Sequence, residues 1–114
     1  MLFRSLSASE LVERGRTAGL SIVQEVFADR AYRSDGTLVP RSESGALLKT
    51  EHHLLRQLHD ILNGFVRSID GQRIALQSDS LCIHADTPHS VEFVRLVRAE
   101  IQSAGIDIAK PRAT

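Results

Sequence analysis

Residues 21–27, Ser-Ile-Val-Gln-Glu-Val-Phe, and the polar run behind them do most to limit what this chain can fold into. Ile22, Val23, Val26 and Phe27 are β-branched or aromatic, and the run has a strand's length, so it predicts a short buried strand. It empties at once into Asp29 and Arg30, then into a turn at Ser34-Asp35-Gly36, where glycine takes a positive φ without steric cost. A strand delivering ionisable groups at its carboxyl end points to an α/β protein, in which chemistry usually sits just past the strand ends. The pattern leaves two readings of Asp29, Arg30 and Arg41. They are members of a site, or an ion-pair network bracing a long loop.

The rest of the chain fits an alternation of helices and strands. Leu2 to Leu6 is the stub of a strand. Ser7 to Glu10 has capping-box spacing, so a helix is expected from there to about Ala18, with Leu11, Val12 and Ala18 inward and Gly19 as its stop. The connection from Ala28 to Gly45 is long, and loops of that length are usually functional or disordered. Tyr32, Leu38, Val39 and Pro40 give this one something to pack, which favours order; Ser42 to Gly45 opens either a short helix or a turn. Thr50 to Asn63 carries Leu54, Leu55, Leu58, Ile61 and Leu62 at helical spacing, with Gly64 behind it. Asp70-Gly71 between Arg67–Ile69 and Arg73–Leu76 predicts a hairpin. Ser80 to Ile83 is a second buried strand, and Thr87-Pro88 offers an N-cap and first turn for a helix to Ala104. That helix should bury Val91, Val94, Leu96 or Val97, and Ile101, with Gly105 closing it and Ile106 to Ile108 adding a short strand.

The second strand repeats the layout of the first. It delivers His84 and Asp86 just before a helix N-terminus, where free amides and the macrodipole favour anions. His84 and Asp86 can bind a metal, shuttle a proton or orient one another; equally, Asp86 or Thr87 caps the helix while His84 bonds a carbonyl. Cys82 reads as a small hydrophobe on the strand. His52, His53 and His59 lack an acidic or thiol partner at ligand spacing and read as exposed helix residues.

Composition excludes several classes. The 114 residues suggest one domain, 1–114, able to bury roughly two thirds of its unfolded surface. Fourteen basic residues balance fourteen acidic ones, which argues against a nucleic-acid binder or a polybasic membrane anchor. No apolar run nears the roughly 20 residues needed to span a bilayer. The N-terminus lacks a secretory pattern and the single cysteine cannot form an internal disulfide, so a cytoplasmic location is expected.

Glu25-Val26-Phe27-Ala28-Asp29-Arg30, with Tyr32, Asp35-Gly36, Leu38-Val39-Pro40-Arg41-Ser42 and Gly45-Ala46, resembles the motif of the LamB/YcsF family. Its members include the A subunit of the bacterial ATP-dependent 5-oxoprolinase. Cys82-Ile83-His84-Ala85-Asp86 is similar to the family's Cys-x-His-Gly-Asp, with Ala85 where Gly is usual. If that position needs a positive φ, the Cβ strains the loop by about 1 kcal/mol or more. The resemblance runs from about Leu6 to Ile108 and matches the C-terminal part of members more than twice as long. Their N-terminal segments Asp-Leu-Asn-x-Asp, Gly-Phe-His-x-Gly-Asp, Gly-Ala-His-Pro and Lys-Pro-His-Gly are absent from this sequence.

The resemblance implies the last strands and helices of an incomplete TIM-like (β/α) barrel, related to the glycoside hydrolase and polysaccharide deacetylase barrels. It implies cleavage of 5-oxoproline to L-glutamate with ATP hydrolysis, in concert with B and C subunits. A lactam is a poor electrophile, so activation at its carbonyl oxygen calls for cationic groups such as Arg30 and Arg41. Glu25, Asp29, Arg30, His84 and Asp86 are the implied catalytic residues; Arg41, Ser42 and Thr87 are candidates for substrate or phosphate binding. A divalent metal is admitted as a cofactor, with Glu25, Asp29, His84 and Asp86 as its candidate ligands, although no further motif of the sequence supports it. A parallel sheet cut from a barrel leaves an open edge and an apolar face, so self-association or a complementing N-terminal half is expected. Two other functions stand beside this one: a non-catalytic module binding the partner subunits, and a metal-dependent deacetylase-like carbohydrate hydrolase.

Overall fold

A computed structural model describes residues 2–84 and 89–111. The element order is β1 (Leu2–Leu6), α1 (Glu10–Thr17), β2 (Ser21–Phe27), α2 (Glu51–Leu62), β3 (Phe65–Arg67), β4 (Arg73–Ala75), β5 (Ser80–Cys82) and α3 (Ser90–Ser103). The apolar run at residues 21–27 is the middle strand of a parallel sheet ordered β1-β2-β5. Phe3 lies opposite Ile22 on one side of it, and Val26 and Phe27 lie opposite Leu81 and Cys82 on the other. Its flanking helix α1 comes close because residue 15 is glycine. A Cβ there would lie 2.4 Å from Ile22 Cδ1 and 3.3 Å from Phe3 Cδ2.

Helix α2 runs much as its apolar spacing predicts. Thr50 caps it by accepting a hydrogen bond from the His53 N–H, and Gly64 leaves it with φ +90°. Leu54 and Leu58 pack with Ala28, Phe93 and Val97 in one cluster, while Ile61 joins Val26, Tyr32, Val66 and Leu76 in another. Full burial of side chains of this size contributes about 1.5–3 kcal/mol each. The Asp70-Gly71 turn joins β3 to β4 as an antiparallel hairpin, in which Phe65 and Val66 form a strand beyond the helix end.

Several expectations are corrected. No capping box forms at Ser7. The helix starts at Glu10 after Ser9, because Ser7 is drawn inside, where its Oγ donates to the Gln77 carbonyl at 2.6 Å. Leu11 and Ala18 face outward; Val12 and Gly15 are the buried positions of that helix. Helix α3 starts at Ser90 with His89 at its N-cap position, two residues after the cap expected at Thr87. It buries Phe93 and Val97, while Val91 and Val94 are exposed, since Phe93 brings a larger apolar surface to the same core. Residues 106–108 form no strand, and Ile106 and Ile108 are about half exposed along a groove beside β5 and α3. Ser42 to Gly45 is a turn. The described residues form a mixed α/β structure around a parallel sheet.

Candidate functional site

Strands β2 and β5 end side by side, with Phe27 opposite Cys82, and two residues further on Asp29 and His84 meet. The Asp29 carboxylate accepts the His84 backbone N–H at Oδ2 (2.8 Å) and faces the His84 ring Nδ1 at 3.1 Å from Oδ1. The His84 ring stacks on Phe27, with centroids 5.4 Å apart and planes 13° from parallel. Asp29 is almost wholly buried, while His84 keeps a quarter of its side chain exposed. An ionised carboxylate can only accept, so the Nδ1 facing it carries the proton. The Nε2 lone pair is then left for a proton or a ligand. Such a pair can act as general acid–base or orient a ligating imidazole.

The backbone around Asp29 is held from several sides. The Leu48 N–H donates to the Asp29 carbonyl at 2.9 Å, and the Ala31 N–H to the Ala46 carbonyl at 2.9 Å. Ala31, Val39 and Ala46 form a small core of their own inside the loop, which gives the long connection its order. On the opposite side Gln57 of α2 reaches the carbonyls of Phe27 and Arg30. Tyr32 is fully buried, and its hydroxyl oxygen accepts the Phe27 N–H at 3.0 Å. Burial pushes its phenol up to about 12, partly countered by that hydrogen bond.

The other candidates are spread around this pair. Glu25 lies further back on β2, opposite Ser80, with Arg4 Nε 3.4 Å from its carboxylate. Burial, reinforced by the Glu25 charge, raises the Cys82 thiol to about 11, which fits its reading as a small hydrophobe. Arg30 is buried. Its Nη2 donates to the Val39 carbonyl at 2.9 Å, and its Nε has no hydrogen-bond partner. Among the described residues no carboxylate pairs with it, so Arg30 does not join Asp29 in an ion pair, as the bracing-network reading of Asp29, Arg30 and Arg41 would have it, and contacts the Val39 backbone instead. Arg41 and Ser42 are exposed in the turn of residues 41–45. Asp86 and Thr87, with Ala85 and Pro88, lie outside the described residues. His52, His53 and His59 are exposed on α2, and His59 Nε2 lies 3.2 Å from Glu100. Among the described residues no group of three or more His, Cys, Asp or Glu side chains is placed to hold a metal ion.

Sequence reasoning placed Asp29 and His84 at strand ends but did not join them, because the pairing of β2 with β5 is non-local. It missed Gln57 altogether. The signal was there: a polar residue within the stripe of Leu54, Leu58 and Ile61 needs a buried partner.

A family model described as the LamB/YcsF family matches residues 1–114. The proteins named as the A subunit of 5-oxoprolinase in Neisseria meningitidis serogroup A and serogroup B are each 44% identical over 106 residues, covering 92% of this chain. A crystal structure of a lactam utilization protein from Thermus thermophilus is similar, with a TM-score of 0.83 and 34% identity over 95% of this chain. In all three the match spans 43% of the relative, so the chain covers less than half the length of these proteins.

Proposed function

Because the chain belongs to the LamB/YcsF family, we propose that it is part of the A subunit of an ATP-dependent 5-oxoprolinase, and that its Asp29–His84 pair handles protons in that reaction. The observation carrying the chemical half of this reading is the 3.1 Å contact between His84 Nδ1 and a buried carboxylate at the end of a parallel strand. The named relatives carry the other half. In the same reading the parallel sheet is the C-terminal portion of an incomplete TIM-like barrel, and B and C subunits are its partners.

Opening a lactam needs a proton removed from the attacking water and one delivered to the leaving nitrogen. An imidazole held by Asp29 through Nδ1 presents Nε2 for both tasks in turn. Asp29 fixes the tautomer and stabilises the ring when it becomes cationic, while stacking on Phe27 fixes its plane. ATP is a consumed substrate, and the exposed Arg41–Ser42 turn suits contact with its phosphates better than the buried Arg30 does. Arg30 serves this reading as a buried positive charge next to Asp29 in sequence, which favours anionic species there.

The test is ATP-dependent release of glutamate from 5-oxoproline by this chain, supplemented with B and C subunits and the remainder of a relative's A subunit. Turnover that requires this chain supports the reading. Binding to those subunits without turnover, under conditions where an intact relative is active, would replace it with a non-catalytic module.

A further inference from the structure

We infer that Gln57 is a positioning residue for the Asp29–His84 pair, acting through the backbone carbonyls on either side of Asp29. The inference rests on the pair's proposed role. Beyond Phe27 strand β2 ends, and the carbonyls of Phe27, Ala28 and Arg30 converge on helix α2. Gln57 Nε2 meets them there, donating to the Arg30 carbonyl at 2.7 Å and the Phe27 carbonyl at 2.9 Å, with the Ala28 carbonyl at 3.4 Å. An amide has two protons, so the two short bonds use them fully. Gln57 is itself buried on the face of α2 that carries Leu54 and Leu58, which keeps bulk solvent from these acceptors.

The consequence is geometric. Carbonyl dipoles aimed at one point repel unless a donor sits between them, and α2 supplies that donor. Pinning the carbonyls two residues before and one residue after Asp29 leaves its backbone little freedom to turn. The Leu48 N–H bond to the Asp29 carbonyl fixes the remaining side. The carboxylate is thereby aimed at His84, whose backbone N–H and ring both depend on it. A functional group held by a second layer of hydrogen bonds on a rigid helix is the arrangement that preorganises a site. Neither Glu, which cannot donate when ionised, nor Met, which has no donor, can replace the glutamine.

The readout is the side-chain nitrogen spectrum of His84, which distinguishes the Nδ1–H from the Nε2–H tautomer. The wild-type chain should show Nδ1–H. Gln57→Met and Gln57→Glu should lose that preference and move toward the Nε2–H form that free imidazole favours. Ile61→Val, on the same helix face, should lower stability without moving the tautomer. A folded Gln57→Met that keeps the Nδ1–H tautomer overturns the inference while leaving the pair intact. A wild-type chain without that tautomer removes the pair and the inference together. Should both Gln57 variants fail to fold, the wild-type side-chain amide decides. Its protons should exchange at least about tenfold more slowly than those of the exposed Gln102, and equal rates overturn the inference.

Discussion

Tyr32 is the only tyrosine of the chain and is fully buried, so its titration reports on one place. Its phenol is pushed from 10.0 up to about 12, mainly by burial. A group whose folded-state value is raised contributes stability below its unfolded value and loses it as pH climbs through the folded one. Stability should therefore fall between about pH 10 and pH 12, by roughly 2–3 kcal/mol at about 1.36 kcal/mol per unit. Denaturant melts across that range should show the fall, and Tyr32→Phe should remove most of it. Cys82, raised to about 11, contributes a smaller part of its own and remains in the variant. At this scale the sequence was informative about kind and poor about contact. Asp29 and His84 stand out by following apolar runs, yet they are 55 positions apart and meet only through strand pairing. Arg30 read as a site member or as part of an ion-pair network, whereas it is buried and bonded to the Val39 carbonyl, a contact no local pattern announces.

Elements were most legible where a periodic run had a chemical start and stop. Helix α2 has both, in Thr50 and Gly64, and its bounds lie within one residue of expectation. The cap gives a direct prediction. Thr50→Ala removes the acceptor of the His53 N–H and should cost about 1 kcal/mol of stability, measured as a shift in denaturant midpoint at unchanged slope. No change would mean the exposed amide is satisfied by water. Helices α1 and α3 were less legible because their inward faces were assigned to the most apolar candidates. In α1 the close approach to Ile22 favours Gly15 over Leu11, and in α3 Phe93 displaces Val91 and Val94. The Ser7 box failed for a related reason. A buried hydroxyl finds a distant carbonyl at Gln77, and a tertiary bond outweighs a local cap.

Across the whole molecule, the parallel sheet has β2 at its centre and β1 and β5 at its edges. An α/β arrangement was legible from the alternation of helices and strands, whereas the order β1-β2-β5 was not, since the hairpin β3–β4 and helix α2 lie between the paired strands in sequence. None of the described helices is long and apolar enough to cross a membrane. The groove beside β5, about 410 Å³ and lined by Leu81, Ile83, Val97, Ile101 and Ile106, lies on the edge strand of that sheet. These elements converge on one joint, between the ends of β2 and β5, where Asp29 and His84 meet. The decisive measurement is a double-mutant cycle on Asp29→Asn and His84→Gln, read as turnover of 5-oxoproline by the assembled enzyme. Each single variant should lower kcat by about 10²-fold or more, and the double variant should be little worse than either. Losses that multiply, or single variants that keep full turnover, would contradict the pairing at the centre of the account.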